Sequence, residues 1–161
     1  MRILTTIAFS LALLPLLWAD QNQPVKLQGA WAVLHYDQNG VRTPDEITAK
    51  MRVTIDEGKL VIKPRVVAQY KPVIGAKSEV VFTIEADKSD EITYKLEPDK
   101  GRIDLVWRGP RGDTKTTKGL YHLEDDTLKI CFALVDKNRP KKFPDNPKAG
   151  VVRLVLQRAD K

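Results

Sequence analysis

Nucleophilic and metal-assisted chemistry draw on a few side-chain types, and these are scarce here. Beyond the first twenty residues the chain has two serines, Ser78 and Ser89, two histidines, His35 and His122, and one cysteine, Cys131. Neither serine lies in a Gly-x-Ser-x-Gly elbow, the turn that exposes a hydroxyl to a general base. The His-x-x-x-His and Cys-x-x-Cys spacings that converge donors on zinc do not occur. Asp125-Asp126 reads as a pair of solvated turn acids. Gly109 to Gly112 reads as a tight surface turn, because a phosphate-cradling loop would join a strand to a helix. The expectation is no catalytic residue, no metal site and no cofactor, hence no enzyme.

One coincidence remains. Thr116 to Glu124 and Thr127 to Val135 read as a hairpin with Leu123 opposite Leu128 and Tyr121 opposite Ile130 on the core face. The other face then carries His122, Lys129 and Cys131, with the imidazole diagonal to the thiol. An open outer face supplies neither a pocket nor a third group to orient the imidazole, so Cys131 is expected to act as a small hydrophobe in the wall. His35 alternates with Trp31 and Val33 and should face inward, as a hydrogen-bonded core residue or as a group that recognises a ligand.

The elements that would position these residues are strands. From Leu27 onward apolar and polar residues alternate, with turn clusters about every ten residues. The strands run Leu27 to Asp37, Met51 to Asp56, Lys59 to Tyr70, Glu79 to Ala86, Glu91 to Glu97, Arg102 to Arg108, the hairpin above, and Val151 to Arg158. Pro64 interrupts the third of these and predicts an edge or a bulge. Val80, Phe82 and Ile84 are expected inward, as are Ile92, Tyr94 and Leu96, and Ile103, Leu105 and Trp107. Asn39-Gly40 supplies a left-handed turn. Thr43 to Lys50 predicts a short helix near residues 43–50, with Thr43 as its cap and Pro44 in the first turn. An all-β fold follows: an antiparallel meander of eight or nine strands closing into a small barrel.

Residues 1–19 have the shape of a signal peptide, with Arg2 ahead of a 15-residue apolar run, Ile3 to Leu17, that is too short to span a bilayer. Ala19 offers the cut, leaving a linker over 20–26 and one domain over 27–161. The chain is thus expected to be exported, periplasmic or secreted, with no stable membrane anchor. Arg2 is the leader's one charged residue, so its loss lowers the formal charge from +6 to +5. That mild excess, in an exported protein, argues against nucleic acid as a partner. A single cysteine cannot form an internal disulfide, so the fold must rest on its core.

Several of these segments also carry a resemblance. Leu27-Gln28-Gly29-Ala30-Trp31, Leu120-Tyr121-His122-Leu123, the strand Asp126 to Cys131, Arg139-Pro140 with Phe143, and Val151 to Leu156 together resemble the uncharacterised lipocalin-like domain family abundant in planctomycete bacteria. The resemblance covers Leu27 to Arg158. Gly29-x-Trp31 is similar to the first signature of true lipocalins, in which the Trp closes the barrel base and a basic residue of the last strand covers it. Arg158 or Arg153 would be that residue.

The resemblance implies a lipocalin-like barrel holding a small apolar or amphipathic ligand, with Trp31, His35, Phe82, Tyr94, Trp107, Tyr121 and Phe143 as interior and mouth residues. The alternative is a barrel filled by its own side chains that contacts a protein or envelope polymer through its loops, above all the basic, proline-rich Asp136 to Gly150. In either case a monomer is expected.

Overall fold

Alternating apolar residues bounded by turns leave this chain little but strands to form. The computed structural model describes residues 26–71, 79–108, 112–134, 138–146 and 149–159 and is built almost wholly of strands. The expected leader and the linker up to residue 25 lie outside the described residues. In chain order the elements are β1 (Gly29–Gln38), β2 (Val41–Arg42), α1 (Asp45–Thr48), β3 (Arg52–Asp56), β4 (Lys59–Lys63), β5 (Arg65–Lys71) and β6 (Glu79–Glu85). They continue with β7 (Asp90–Glu97), β8 (Arg102–Arg108), β9 (Thr114–Glu124), β10 (Thr127–Ala133) and β11 (Val151–Arg158).

Eight of these strands, β1, β3, β4 and β7 to β11, close an antiparallel barrel through the pairing of β11 with β1. The small β2 adds a ninth strand to the sheet beside β1, across a turn in which Asn39 and Gly40 take φ of 53° and 84°. Inward residues meet around the ring: Trp31 opposite Val53, Val53 opposite Ile62, Leu60 opposite Ile92, Tyr94 opposite Leu105, Tyr121 opposite Ile130, and Ile130 opposite Leu154. All of these are buried, as the alternation requires of one face. Gly119 is inward too, because a Cβ there would stand 2.6 Å from the Cys131 carbonyl oxygen.

The structure departs from the expected pattern in four places. First, the register of β1 against β11 shifts between Val33, opposite Leu156, and His35, opposite Val155. Leu34 is the extra residue of a β-bulge, and a bulge of one residue swaps the faces beyond it. His35 therefore joins the outward set with Asp37, and Tyr36 turns into the barrel opposite Leu154.

Second, Lys59 to Tyr70 is not one strand. Pro64 has no N–H to continue the ladder, and at that residue the chain leaves the barrel. β5 and β6 form a separate two-stranded hairpin, so Val80, Phe82 and Ile84 do not belong to the barrel wall. They share the hairpin face that holds Val66 and Ala68, where Phe82 is half-buried against the core and Ile84 is exposed. The hairpin base is fixed by Arg65, whose N–H donates to the Lys88 carbonyl at 2.9 Å and whose guanidinium reaches Asp90 at 2.7 Å. The Tyr70 hydroxyl donates to the Asn39 carbonyl at 3.4 Å.

Third, Thr43 does not cap the helix. Pro44 holds the cap position, and the Thr43 Oγ1 is buried without a hydrogen-bond partner. Fourth, Phe143, expected among the interior and mouth residues, lies half-buried on the segment 138–146. This segment runs back along the outer wall as a strap, pinned at one end by Arg139, which donates to the Ile103 and Gly119 carbonyls and pairs with Asp104 at 2.7 Å. At the other end Arg153 on β11 donates to the Pro144 and Asp145 carbonyls at 3.1 and 2.8 Å. Arg153 also pairs at 2.5 Å with Asp37, which is 1% exposed and further contacts Arg42 at 3.3 Å. Cys131, opposite Leu120 and Arg153 in the sheet, is not on an open face: it is 0% exposed.

Candidate functional site

The two ends of the barrel are built differently. At the base, Trp31 is fully buried and its indole N–H donates to the Leu27 carbonyl at 2.9 Å. The Arg158 guanidinium carbon lies 4.4 Å from the Trp31 ring centroid, a cation–π distance. The same guanidinium donates to the Gln28 and Lys26 carbonyls and meets Asp126 at 3.3 Å. Gly29 is what admits it: its φ of 130° suits glycine, and a Cβ there would sit 3.2 Å from Arg158 Nη1. Arg153, the other arginine of β11, serves the strap. The base is thus sealed by the protein's own groups.

Above it the barrel is packed. Eight strands enclose only enough space for side chains, and Val53, Ile55, Leu105, Leu128, Ile130 and Leu156 are each at most 3% exposed. Tyr94 belongs to this packing, its hydroxyl donating to the Asp56 carbonyl at 3.3 Å. So does Tyr121, and burial raises the phenol pKa of both. Trp31, Tyr94 and Tyr121 are all buried in the core, at 0%, 8% and 5% exposure.

At the mouth the packing opens into a pocket of about 300 Å³, half open to solvent and called the chamber below. Tyr36, Trp107, Phe132 and Val152 form its apolar floor, Val66 and Ala68 of the hairpin its roof, and Gln38, Arg65, Asp90, Lys115 and Thr117 its polar fringe. Trp107 and Phe132 stand at a ring-centroid distance of 5.7 Å and an interplanar angle of 50°, a tilted aromatic pair. Burial, with a smaller push from the Asp90 carboxylate, moves the Tyr36 phenol up to about 12, so it is a neutral hydroxyl at any physiological pH. A chamber of this size and lining sits at the lower bound of small-molecule sites.

Of the seven expected site residues, Trp107 alone lines the chamber. His35 is carried outward by the bulge, Phe82 lies on the hairpin, and Phe143 is a half-buried residue of the strap. Tyr36 and Phe132 take the places expected of others. Phe132 was open to the parity of Leu128 and Ile130, whereas Tyr36 is announced only by a phase slip, the three-residue step from Val33 that replaces a step of two.

The thiol and imidazole do not form a reactive pair. His122 is largely exposed, with Glu124 3.9 Å away, while burial pushes the Cys131 thiol up to about 11 and keeps it protonated. A second depression, of about 590 Å³, lies on the outer wall among Lys59, Glu91, Thr93, Val106, Arg108 and Thr114. Lys59 and Glu91 pair across it at 2.8 Å, and its lining lacks an aromatic group. Among the described residues no helix is long and apolar enough to cross a membrane, and no three His, Cys, Asp or Glu side chains converge as if around a metal ion. No protein-family model matches the chain, and neither a curated protein nor a solved structure does.

Proposed function

We propose that the protein is an exported, non-enzymatic binding domain of lipocalin-like type that takes a small apolar or amphipathic ligand at its barrel mouth. The carrying observation is the chamber of about 300 Å³ with Tyr36, Trp107 and Phe132 at its floor. At roughly 30 Å³ per water-sized unit it takes a molecule of about ten non-hydrogen atoms. A long acyl chain would need the lower barrel, which is occupied by leucine, isoleucine and valine. Export rests on the leader-like residues 1–19, and the non-enzymatic reading on the buried, protonated Cys131 and the exposed His122.

A second reading has one observation of its own. The strap is held at both ends by buried or half-buried arginines and presents Lys141 and Lys142 to solvent, a fixed basic surface for an anionic envelope polymer or a protein.

Native mass spectrometry of protein recovered from its own compartment, together with Trp107 fluorescence during a small-molecule screen, separates the two. A bound compound of about ten non-hydrogen atoms, lost when Ala68→Trp fills the roof, is the expected result. Binding that survives Ala68→Trp unchanged, or no bound compound and no fluorescence response, would count against the chamber.

A further inference from the structure

Resting on the chamber reading, we infer that the preferred ligand is a small carboxylate, with its apolar body against Tyr36, Trp107 and Phe132 and its anionic head at Lys115. Three charged side chains line the chamber, and two of them are spent on each other. Arg65 meets Asp90 at 2.7 Å and Glu85 at 3.9 Å and donates to the Ser89 carbonyl, while Lys88 completes the set by pairing with Glu85 at 3.0 Å. These two cations and two anions form a neutral network at the hairpin base.

Lys115 stands outside it. It lies on β9 opposite Trp107, and its ammonium donates to the Leu134 carbonyl at 3.1 Å, with no ion pair to a carboxylate among the described residues. One neutral acceptor leaves two of the three ammonium protons to solvent or to a ligand. An ammonium next to an aromatic floor, on a site whose other charges cancel, favours an anion over a neutral or cationic head. The Tyr36 hydroxyl is a neutral donor on the floor and does not oppose that charge.

Three probes with one body test this: 3-phenylpropionate, its amide 3-phenylpropanamide, and 3-phenylpropylamine, carrying charges of −1, 0 and +1. Titration calorimetry at low salt should rank the carboxylate first, by about tenfold over the amide, the scale of one charge-assisted hydrogen bond. Raising the salt should weaken the carboxylate and leave the amide unmoved. In Lys115→Gln the carboxylate should fall to the amide's affinity, and an unchanged amide affinity shows that the variant is folded and its chamber intact. If amide or amine binds as well as the carboxylate, or if Lys115→Gln leaves the carboxylate unaffected, the assignment to Lys115 is wrong while the chamber stands. If none of the three binds, the chamber reading fails and takes this inference with it.

Discussion

Asp37→Ala tests the outer-wall lock. The Asp37 carboxylate is 1% exposed, and one of its oxygens accepts from Nε and Nη2 of Arg153 at 2.6 and 2.5 Å. Arg42, at 3.3 Å and 47% exposed, can return to water at little cost, so its share is small. Arg153 is 14% exposed and would be left a buried charge with two carbonyl acceptors. Removing one partner of a buried pair costs about 3–5 kcal/mol, and the remaining carbonyls place this case near about 3 kcal/mol. In a domain of this length that is a fall of about 10 °C in Tm.

Urea unfolding should show a lower midpoint with an unchanged slope. Because the same guanidinium pins the strap, a thiol reagent should label Cys131 faster in the native variant than in the parent. Asp37→Leu combined with Arg153→Met should recover most of the stability, since no charge is then buried alone. A loss under about 1 kcal/mol with Cys131 labelling unaltered would refute the lock.

Two further outcomes are expected. Trp31→Ala deletes a fully buried aromatic and its cation–π partner and should cost about 3–5 kcal/mol in denaturant melts, and a value below about 1 kcal/mol would mean that the base is not sealed by that ring. The fold should also lose stability in alkali. Cys131 and Tyr36 hold their protons more tightly when folded, so the contribution is intact below their ordinary values of 9.0 and 10.0 and is lost as pH climbs through about 11 and about 12. Cys131→Ala should flatten the lower part of that limb, and equal stability at pH 8 and pH 11 in the parent would contradict the burial of the thiol.

Much of the barrel was legible because its rule is local. Alternation placed Trp31, Ile92, Tyr94, Ile103, Leu105 and the Tyr121–Ile130 pair inward, and the two-residue loop Asp125-Asp126 fixed the register of β9 on β10. The chamber was less legible, because its residues depend on events that alternation does not encode. A single extra residue at Leu34 exchanged His35 for Tyr36. Pro64 marks an interruption, yet whether a strand bends or departs there depends on the pairing of the following segment with β6, and Phe82 goes with the hairpin. The strap is basic and proline-rich by composition, but only the distant partners Asp104, Ile103 and Gly119 decide that it lies on the wall.

The hairpin of β5 and β6 enters and leaves the barrel at neighbouring points, since Ile62 at the end of β4 stands opposite Asp90 at the start of β7. A tight turn could join those two strands directly, and the ring of eight would still close. The roof of the chamber is therefore a detachable part, inserted between two adjacent staves without altering the order of the others. Such an insert can lengthen, shorten or change its apolar face while the base seal at Trp31 and the lock at Asp37 stay as they are. In this architecture, selectivity for a ligand can evolve, or be engineered, on a segment that lies outside the ring of strand pairings.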